Sequence, residues 1–279
     1  MKAIVCTKYG ALETLQVAEV AQPTPRDTEV LVKVRAASVN YNTAALVTGK
    51  PFIVRLMTGA LLKPKYPTPG NDIAGHVEAV GSQVRRFKPG DAVYGDLAIS
   101  GFGAFAEYVA VPETALALKP ANLSFEQAAA VPEAGLVALQ ALRDFAHVQP
   151  GQQVLINGAS GGIGTFAVQI AKALGAEVTG VCGTRNLELV RSLGADHVID
   201  YTQERFVHNR QQYDVIVATA GYQPLADYKR ALKPNGVYVA TGGDMKQIFE
   251  AMLLGRLLSG DKKIGSLLLQ VNKDLDYLS

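Results

Sequence analysis

The sequence predicts an α/β chain of two domains: a small β-barrel, then a doubly wound sheet of six parallel strands. Three observations predict it. A glycine-rich turn joins an apolar strand to an amphipathic helix between Val154 and Gly175. Strand and helix patterns alternate from there to Leu269. Before it, short strands are broken by Gly and Pro turns. A length of 279 residues suits two domains, and 48% hydrophobic residues can fill sizeable cores.

The central turn reads Gly158-Ala159-Ser160-Gly161-Gly162-Ile163-Gly164. Val154, Leu155 and Ile156 before it form the short apolar run of a strand buried on both faces. Phe166, Val168, Ile170, Ala171 and Leu174 after it recur at helical spacing, and Gly175 stops the helix. Glycine lets the backbone turn sharply and lets a pyrophosphate come close. The free N–H groups and positive end of the following helix attract phosphates. In this strand–turn–helix setting Ala159, Ser160, Gly161, Gly162, Ile163 and Gly164 are candidates for a dinucleotide site. An ordinary α/β turn is the bland alternative. No Lys follows the last glycine, so the turn is not a Walker loop.

The next strand, Glu177–Cys182, tests which dinucleotide is bound. An NAD site wants an acid at its end for the ribose 2′-hydroxyl. Here the end reads Cys182-Gly183-Thr184-Arg185-Asn186, with no acid before Glu188. The Thr184 hydroxyl, the Arg185 guanidinium and the open backbone at Gly183 suit a 2′-phosphate, so NADPH is expected over NADH. Tyr201 follows the third strand and is a candidate for the adenine or 2′-phosphate. Thr219, Gly221, Thr241 and Gly242 end strands four and five, where ligands of open parallel sheets bind.

The elements follow in order. Residues 1–123 read as all-β, with strands over Ala3–Thr7, Glu29–Ala36, Ala74–Val80, Ala92–Tyr94 and Gly103–Val111. Ser124-Phe125-Glu126-Gln127 has the form of a capping box and opens residues 124–271. A helical stretch follows over Leu136–Phe145. Beyond Cys182 the pattern gives a helix over Asn186–Leu193, strands His197–Asp200 and Val215–Thr219, a helix Leu225–Leu232, a strand Val237–Thr241, a helix Lys246–Leu258 and a strand Ile264–Leu269.

Composition excludes several classes. Net charge is +2 and scattered, which gives no reason to expect a nucleic-acid partner. No signal-peptide core precedes Lys8, and no apolar run is long enough for stable membrane insertion, so a cytoplasmic protein is expected. Cys6 and Cys182 fall in different domains and are expected as free buried thiols. No clustered Cys/His set suggests a metal, and none is expected.

Taken together, these segments resemble the zinc-independent quinone oxidoreductase branch of the medium-chain dehydrogenase/reductase superfamily. Gly70-Asn71-Asp72-Ile73-Ala74-Gly75-His76-Val77, with Val80-Gly81 and Gly90-Asp91, looks like its barrel signature. Ala159 to Gly164 matches its nucleotide loop. Thr184-Arg185-Asn186, Leu193-Gly194-Ala195-Asp196, Asp200-Tyr201, Lys233-Pro234-Asn235-Gly236 and Gly242-Gly243 complete the set. The resemblance spans nearly the whole chain. It implies a GroES-like partial β-barrel joined to a Rossmann domain, and reduction of a quinone or an α,β-unsaturated carbonyl by NADPH. Zinc alcohol dehydrogenases of the superfamily carry a His-Glu pair where Asn71-Asp72 stands, and a Cys in the loop Ser38–Thr43. Without zinc there is no Lewis acid to acidify an alcohol, which directs the chemistry to electron-poor acceptors.

The resemblance places Asn40 near the nicotinamide, where its amide could donate to the acceptor carbonyl; a turn-forming Asn is the alternative. Tyr41 beside it is a candidate proton donor, or a packed aromatic. Asp72 is a candidate base, or a loop cap. The apolar stretch Phe52–Leu62 could line an acceptor pocket. A dimer contact, hence a homodimer, or a membrane-surface patch are its alternatives. This sequence departs from relatives at Thr43, where they have an Asp nearby, at Glu133, where they are apolar, and at Val137, often their Thr. Relatives also continue for roughly 45 residues beyond Ile264–Leu269, returning to the barrel. Residues 272–279 are expected as the start of that return, leaving an open barrel edge. A non-catalytic NADPH-binding or membrane-associated adaptor is the competing function. A short-chain dehydrogenase is excluded, because none of the eleven tyrosines has a Lys four residues on.

Overall fold

A computed structural model describes residues 1–208, 211–220, 222–243, 245–258 and 260–278. The chain divides into two compact units, 1–136 with 270–279, and 137–269.

In the first unit β1 (Lys2–Cys6) pairs antiparallel with β2 (Leu15–Glu19). β2 was not expected from the sequence. Val17 on it is exposed, so it has no buried face to create a pattern. β3 (Glu29–Ala37) leads to α1 (Tyr41–Thr48) and α2 (Ile53–Met57), then β4 (Asp72–Val80), β5 (Ala92–Asp96), β6 (Tyr108–Pro112) and β7 (Ala117–Leu118). Five strands form one antiparallel sheet in the order β6-β3-β4-β5-β7. Its core includes Val30, Val32, Ile73, Val93, Leu97 and Val111. The strand expected over Gly103–Val111 starts later, at Tyr108; before it Ala106 makes only a single bridge to Ala3.

Two helices follow, α3 (Phe125–Ala129) and α4 (Pro132–Leu139). The capping box is formed: the Ser124 hydroxyl accepts from Gln127 N at 3.2 Å, and Gln127 Oε1 accepts from Ser124 N at 2.9 Å. α3 packs on β3 and β4. The compact division therefore falls at 136/137 rather than 123/124, because helix capping marks where a helix starts and not which sheet it covers. Residues 270–279 also rejoin this unit. Tyr94 donates its hydroxyl to Leu275 O at 2.9 Å, and Asn272 Nδ2 donates to Asp96 O at 2.7 Å.

The second unit holds β8 (Gln153–Asn157), α5 (Gly162–Ala173), β9 (Glu177–Cys182), α6 (Leu187–Ser192), β10 (His197–Asp200), β11 (Tyr213–Ala218), α7 (Leu225–Ala231), β12 (Leu232–Ala240), α8 (Met245–Leu258) and β13 (Lys263–Ser266). All six strands are parallel, in the order β10-β9-β8-β11-β12-β13. The order reverses between β8 and β11, the switch point where such sheets bind ligands. Val154 and Ile156 enter one apolar core and Leu155 the other, as a strand covered on both faces requires. Cys6 and Cys182 are free and buried.

Candidate functional site

In the second unit the site is built where β8 meets α5. The chain leaves Asn157, turns through Gly158 at φ +91°, and enters α5 with Gly161 as N-cap. No side chain caps this helix, so its first N–H groups face outward. A Cβ on Gly164 would lie 2.0 Å from Gly158 O, so only glycine permits the turn to close against the helix. A Cβ on Gly162 would meet nothing within 4 Å, leaving space in front of the helix end. Thr219 braces the loop, its hydroxyl donating to Asn157 O at 3.0 Å and Gly158 O at 3.1 Å. Thr241 N bonds Ala218 O at 2.9 Å, and Gly242 lies close against Thr219 O. Both thus hold strand ends together. Gly221 lies outside the described residues.

The end of β9 comes to the same edge. Asn186 Nδ2 donates to the Ser160 hydroxyl at 3.2 Å, tying this turn to the glycine loop. Tyr201 packs its ring beside Gly183 and is otherwise exposed. The exposed Arg185 makes no ion pair among the described residues. Thr184 donates its hydroxyl to Asp200 Oδ2 at 2.6 Å. That bond and those from Thr202 hold the Asp200 carboxyl below the usual range, so it stays ionised. Gly183, Thr184, Arg185, Tyr201 and Ser160 are therefore neighbours. Asp200 was not anticipated here: it ends β10, and only the pairing of Asp200 with Cys182 brings it to Thr184.

The first unit contains a cluster of three acids. Asn40 caps α1, its Oδ1 accepting from Thr43 N at 3.0 Å. This fixes which way its amide points. Its Nδ2 then donates to Glu133 Oε2 at 2.5 Å, Asn71 Oδ1 at 3.1 Å and Asp72 Oδ2 at 3.4 Å. Asn71 Nδ2 reaches Asp72 Oδ1 at 3.1 Å, Glu133 Oε2 at 3.2 Å and Asp96 Oδ1 at 3.4 Å. Ser38 donates to Asp72 Oδ2 at 3.0 Å, and Asn42 donates to Glu133 Oε1.

Asp72 is 2% exposed and Asp96 1%; Glu133, in the first turn of α4, is half-buried. No cationic side chain pairs with any of the three among the described residues. Burial, then the neighbouring charges of Asp96 and Glu133, push the Asp72 carboxyl up to about 8. Burial and Asp96 push Glu133 up to about 7. Burial raises Asp96 as well.

Of the residues singled out in the sequence, Asn40 and Asp72 thus belong to this cluster. Tyr41 is 71% exposed at the start of α1 and takes no part in it. Glu133 stood out only as a departure from relatives, and Asp96 not at all. Asp96 is placed by the pairing of β4 with β5, which sets Asp72 opposite it. The apolar stretch Phe52–Leu62 contains α2 and exposes Phe52, Leu56, Leu61 and Leu62. Leu61 and Leu62 join Cys6, Thr7, Ala60 and Pro64 around a groove of about 770 Å³, separate from the acids. Among the described residues no three His, Cys, Asp or Glu side chains are arranged to hold a metal, and no helix is long and apolar enough to cross a membrane.

Residues 26–121 match the family described as the alcohol dehydrogenase GroES-like domain, and residues 162–276 that described as zinc-binding dehydrogenase. The chloroplastic quinone-oxidoreductase homolog of Spinacia oleracea is 37% identical over 250 residues, spanning 85% of this chain and 73% of that protein. The chain belongs to the quinone oxidoreductase branch of the medium-chain dehydrogenase/reductase superfamily. A second member, 2-methylene-furan-3-one reductase of Solanum lycopersicum, is 39% identical over 252 residues, 87% of this chain and 62% of that protein. The quinone oxidoreductase of Escherichia coli, solved as a complex with NADPH, superposes with a TM-score of 0.77 at 30% identity, covering 87% of this chain and 73% of that one. As expected of the superfamily, the GroES-like match falls on the antiparallel sheet and the second match on the Rossmann sheet. The zinc in the second family's description has no counterpart set of ligands among the described residues.

Proposed function

We propose that this member of the superfamily is an NADPH-dependent, zinc-independent reductase of quinones or α,β-unsaturated carbonyls. One observation carries the reading: the Gly158–Gly164 cradle, closed by Gly164, open at Gly162 and uncapped at α5, fits a pyrophosphate. When bound, NADPH would supply a hydride from C4 of its nicotinamide. The backbone N–H groups of Ser160, Gly162, Ile163 and Gly164 would hold the diphosphate, while those of Ala159 and Gly161 bond Val181 O and Gly158 O and shape the loop. Arg185 would hold the 2′-phosphate and supply the charge that offsets Asp200, with Thr184, whose hydroxyl donates to Asp200, beside it and Tyr201 positioned for the adenine. Asn40 and Tyr41 are the candidates to hydrogen-bond the acceptor oxygen, where a donor would stabilise a developing enolate or phenolate. Relatives named for quinones and for a methylene-furanone, both electron-poor acceptors, support this substrate class. Such acceptors need no alkoxide, so their reduction needs no Lewis acid. The cytosol is the compartment proposed, since two free buried thiols suit a reducing environment.

The test is NADPH oxidation measured against a panel of quinones and enones, with NADH in parallel and metal analysis of the same preparation. Turnover with NADPH and no stoichiometric zinc is expected. No turnover with any acceptor would reject the reading.

A further inference from the structure

We propose that Asp200 sets the cofactor preference of the Rossmann unit: its carboxylate is placed to accept the ribose 2′-hydroxyl of NADH, so the site takes NADH beside NADPH. This rests on the reductase reading and deepens it, because specificity is a difference between two affinities and one residue can act on both.

The sequence has no acid at the end of β9, where an NADH site carries one for the ribose. Folding supplies one from the next strand. β10 runs parallel to β9, and Asp200 pairs with Cys182, the last residue of β9. The Asp200 carboxylate thereby reaches the turn that follows β9 and bonds the Thr184 hydroxyl at 2.6 Å. Tyr201, next in the chain, lies against Gly183 of that turn. Asn186 ties the same turn to Ser160 of the glycine loop at 3.2 Å. The acid therefore stands at the edge of the phosphate cradle, one strand over from its usual origin.

The hydrogen bonds it already accepts show what it can still take. An ionised carboxylate has about four acceptor positions. Oδ1 fills two, taking Thr202 N at 2.9 Å and the Thr202 hydroxyl at 2.7 Å. Oδ2 fills one, with Thr184. The position left on Oδ2, the oxygen bonded to the β9 turn, suits one further hydroxyl. Asp200 is half-buried at the strand end, and Thr184 and Arg185 beside it are exposed, so a ligand can reach this place.

The same bonds take donors away from a phosphate. Thr184 and Thr202 lie 3.1 Å apart, but each makes its shorter contact to Asp200, and each hydroxyl has a single hydrogen to give. Thr184 thus turns its hydrogen to the carboxylate and only lone pairs elsewhere. For a 2′-phosphate the turn keeps the Arg185 guanidinium as its charged donor. Neither Arg185 nor Asp200 is in an ion pair among the described residues, so both charges face the ligand. A 2′-phosphate is attracted by one and repelled by the other. A 2′-hydroxyl is neutral and donates to Asp200 without repulsion. Asp200 therefore weakens NADPH and strengthens NADH, while Arg185 strengthens NADPH alone.

The test is calorimetric binding of NADPH and of NADH to the full chain, in the wild type and in Asp200→Asn and Asp200→Ser. Both replacements can still accept from Thr202 N, which keeps the turn. Melting curves check folding, and either variant suffices. The wild type should bind both dinucleotides. Each variant should weaken NADH about tenfold and tighten NADPH about threefold, because one change removes an acceptor and a repulsive charge together. An Asp200 that only shapes the turn would weaken both alike. A folded variant whose ratio of NADPH to NADH affinity stays within about twofold of the wild type overturns the role and leaves the reductase reading standing. A wild type that binds NADPH and gives no binding heat with NADH does the same. A wild type that binds neither dinucleotide removes both.

Discussion

Three acids of the Rossmann unit stand beside cations, whereas the buried acids of the GroES-like unit stand beside one another. Asp196 is held by Lys172 at 2.8 Å, Asp214 by Lys233 at 2.8 Å and Asp227 by Arg205 at 2.9 Å. Burial pushes the Asp196 carboxyl up, but Lys172 and the Val178 N–H outweigh it and hold it below the usual range. Asp72, Asp96 and Glu133 have amides, a hydroxyl and backbone N–H groups instead, and all three are raised. A carboxyl that loses water must be neutralised by a partner or by a proton. The Rossmann unit uses partners, and its acids are fixed charges. The GroES-like unit uses protons, and its acids can exchange them near neutral pH.

The largest expected effect lies in the Rossmann unit and does not involve charge. Gly164→Ala would drive a Cβ to 2.0 Å from Gly158 O. About 3 kcal/mol of stability should be lost, with NADPH binding abolished, as calorimetry of the unit's melting and of binding would show. Normal binding by Gly164→Ala would mean the cradle is looser than its geometry indicates.

Next is the pH dependence, which should run in opposite directions in the two units. Asp72 and Glu133 bind their protons more tightly folded than unfolded. Their stabilisation is complete below about pH 4 and is lost as pH rises through about 7 to 8. The GroES-like unit should weaken on the order of 3 kcal/mol over that range. Asp196 behaves inversely: its stabilisation is present above its ordinary value and is lost as pH falls below it. Amide exchange followed separately in the two units between acid and alkaline conditions measures both slopes. Parallel slopes would erase the contrast.

Asp96→Asn sharpens the same comparison. Removing one charge should stabilise the GroES-like unit by about 1–2 kcal/mol at alkaline pH and leave it unchanged at acid pH. The Glu133 titration should move down, because Asp96 is its leading charged neighbour. A Glu133 midpoint that stays in place would show that burial alone sets it.

Arg185→Ala should weaken NADPH about tenfold and leave NADH untouched, since only NADPH carries the 2′-phosphate. Equal loss for both cofactors would reject the assignment. The smallest effect is Ser124→Ala, which removes the α3 cap and should cost about 1 kcal/mol in the GroES-like unit alone. Destabilisation of the Rossmann unit by that change would contradict the division at 136/137.

Local chemistry wrote much of this molecule into its sequence. The strand–turn–helix of 154–175, the alternating elements that follow and the Ser124 capping box depend on neighbours within a few residues. Periodicity and glycine placement show them directly. Asn40 stood out in the sequence, though not as a helix cap, because α1 lies in a loop-like stretch with no apolar stripe to reveal it. β2 escaped for the same reason: an exposed strand leaves no alternation.

Only tertiary structure could decide where the acids meet. Asp72, Asp96 and Glu133 are spread over 62 positions, on two strands and a helix, and none belongs to a common motif. The β4–β5 register sets Asp96 opposite Asp72, and Asn40 and Asn71 donate to Glu133 as well as to Asp72. Asp200 reaches Thr184 by the same kind of event, a parallel pairing of β9 with β10. The sequence by itself determined the alternating elements of the Rossmann unit, the strand–turn–helix of the cradle and the family. Burial and long-range pairing determined which carboxyls keep their protons, because a pKa depends on what surrounds a group in space and not on what flanks it in the chain.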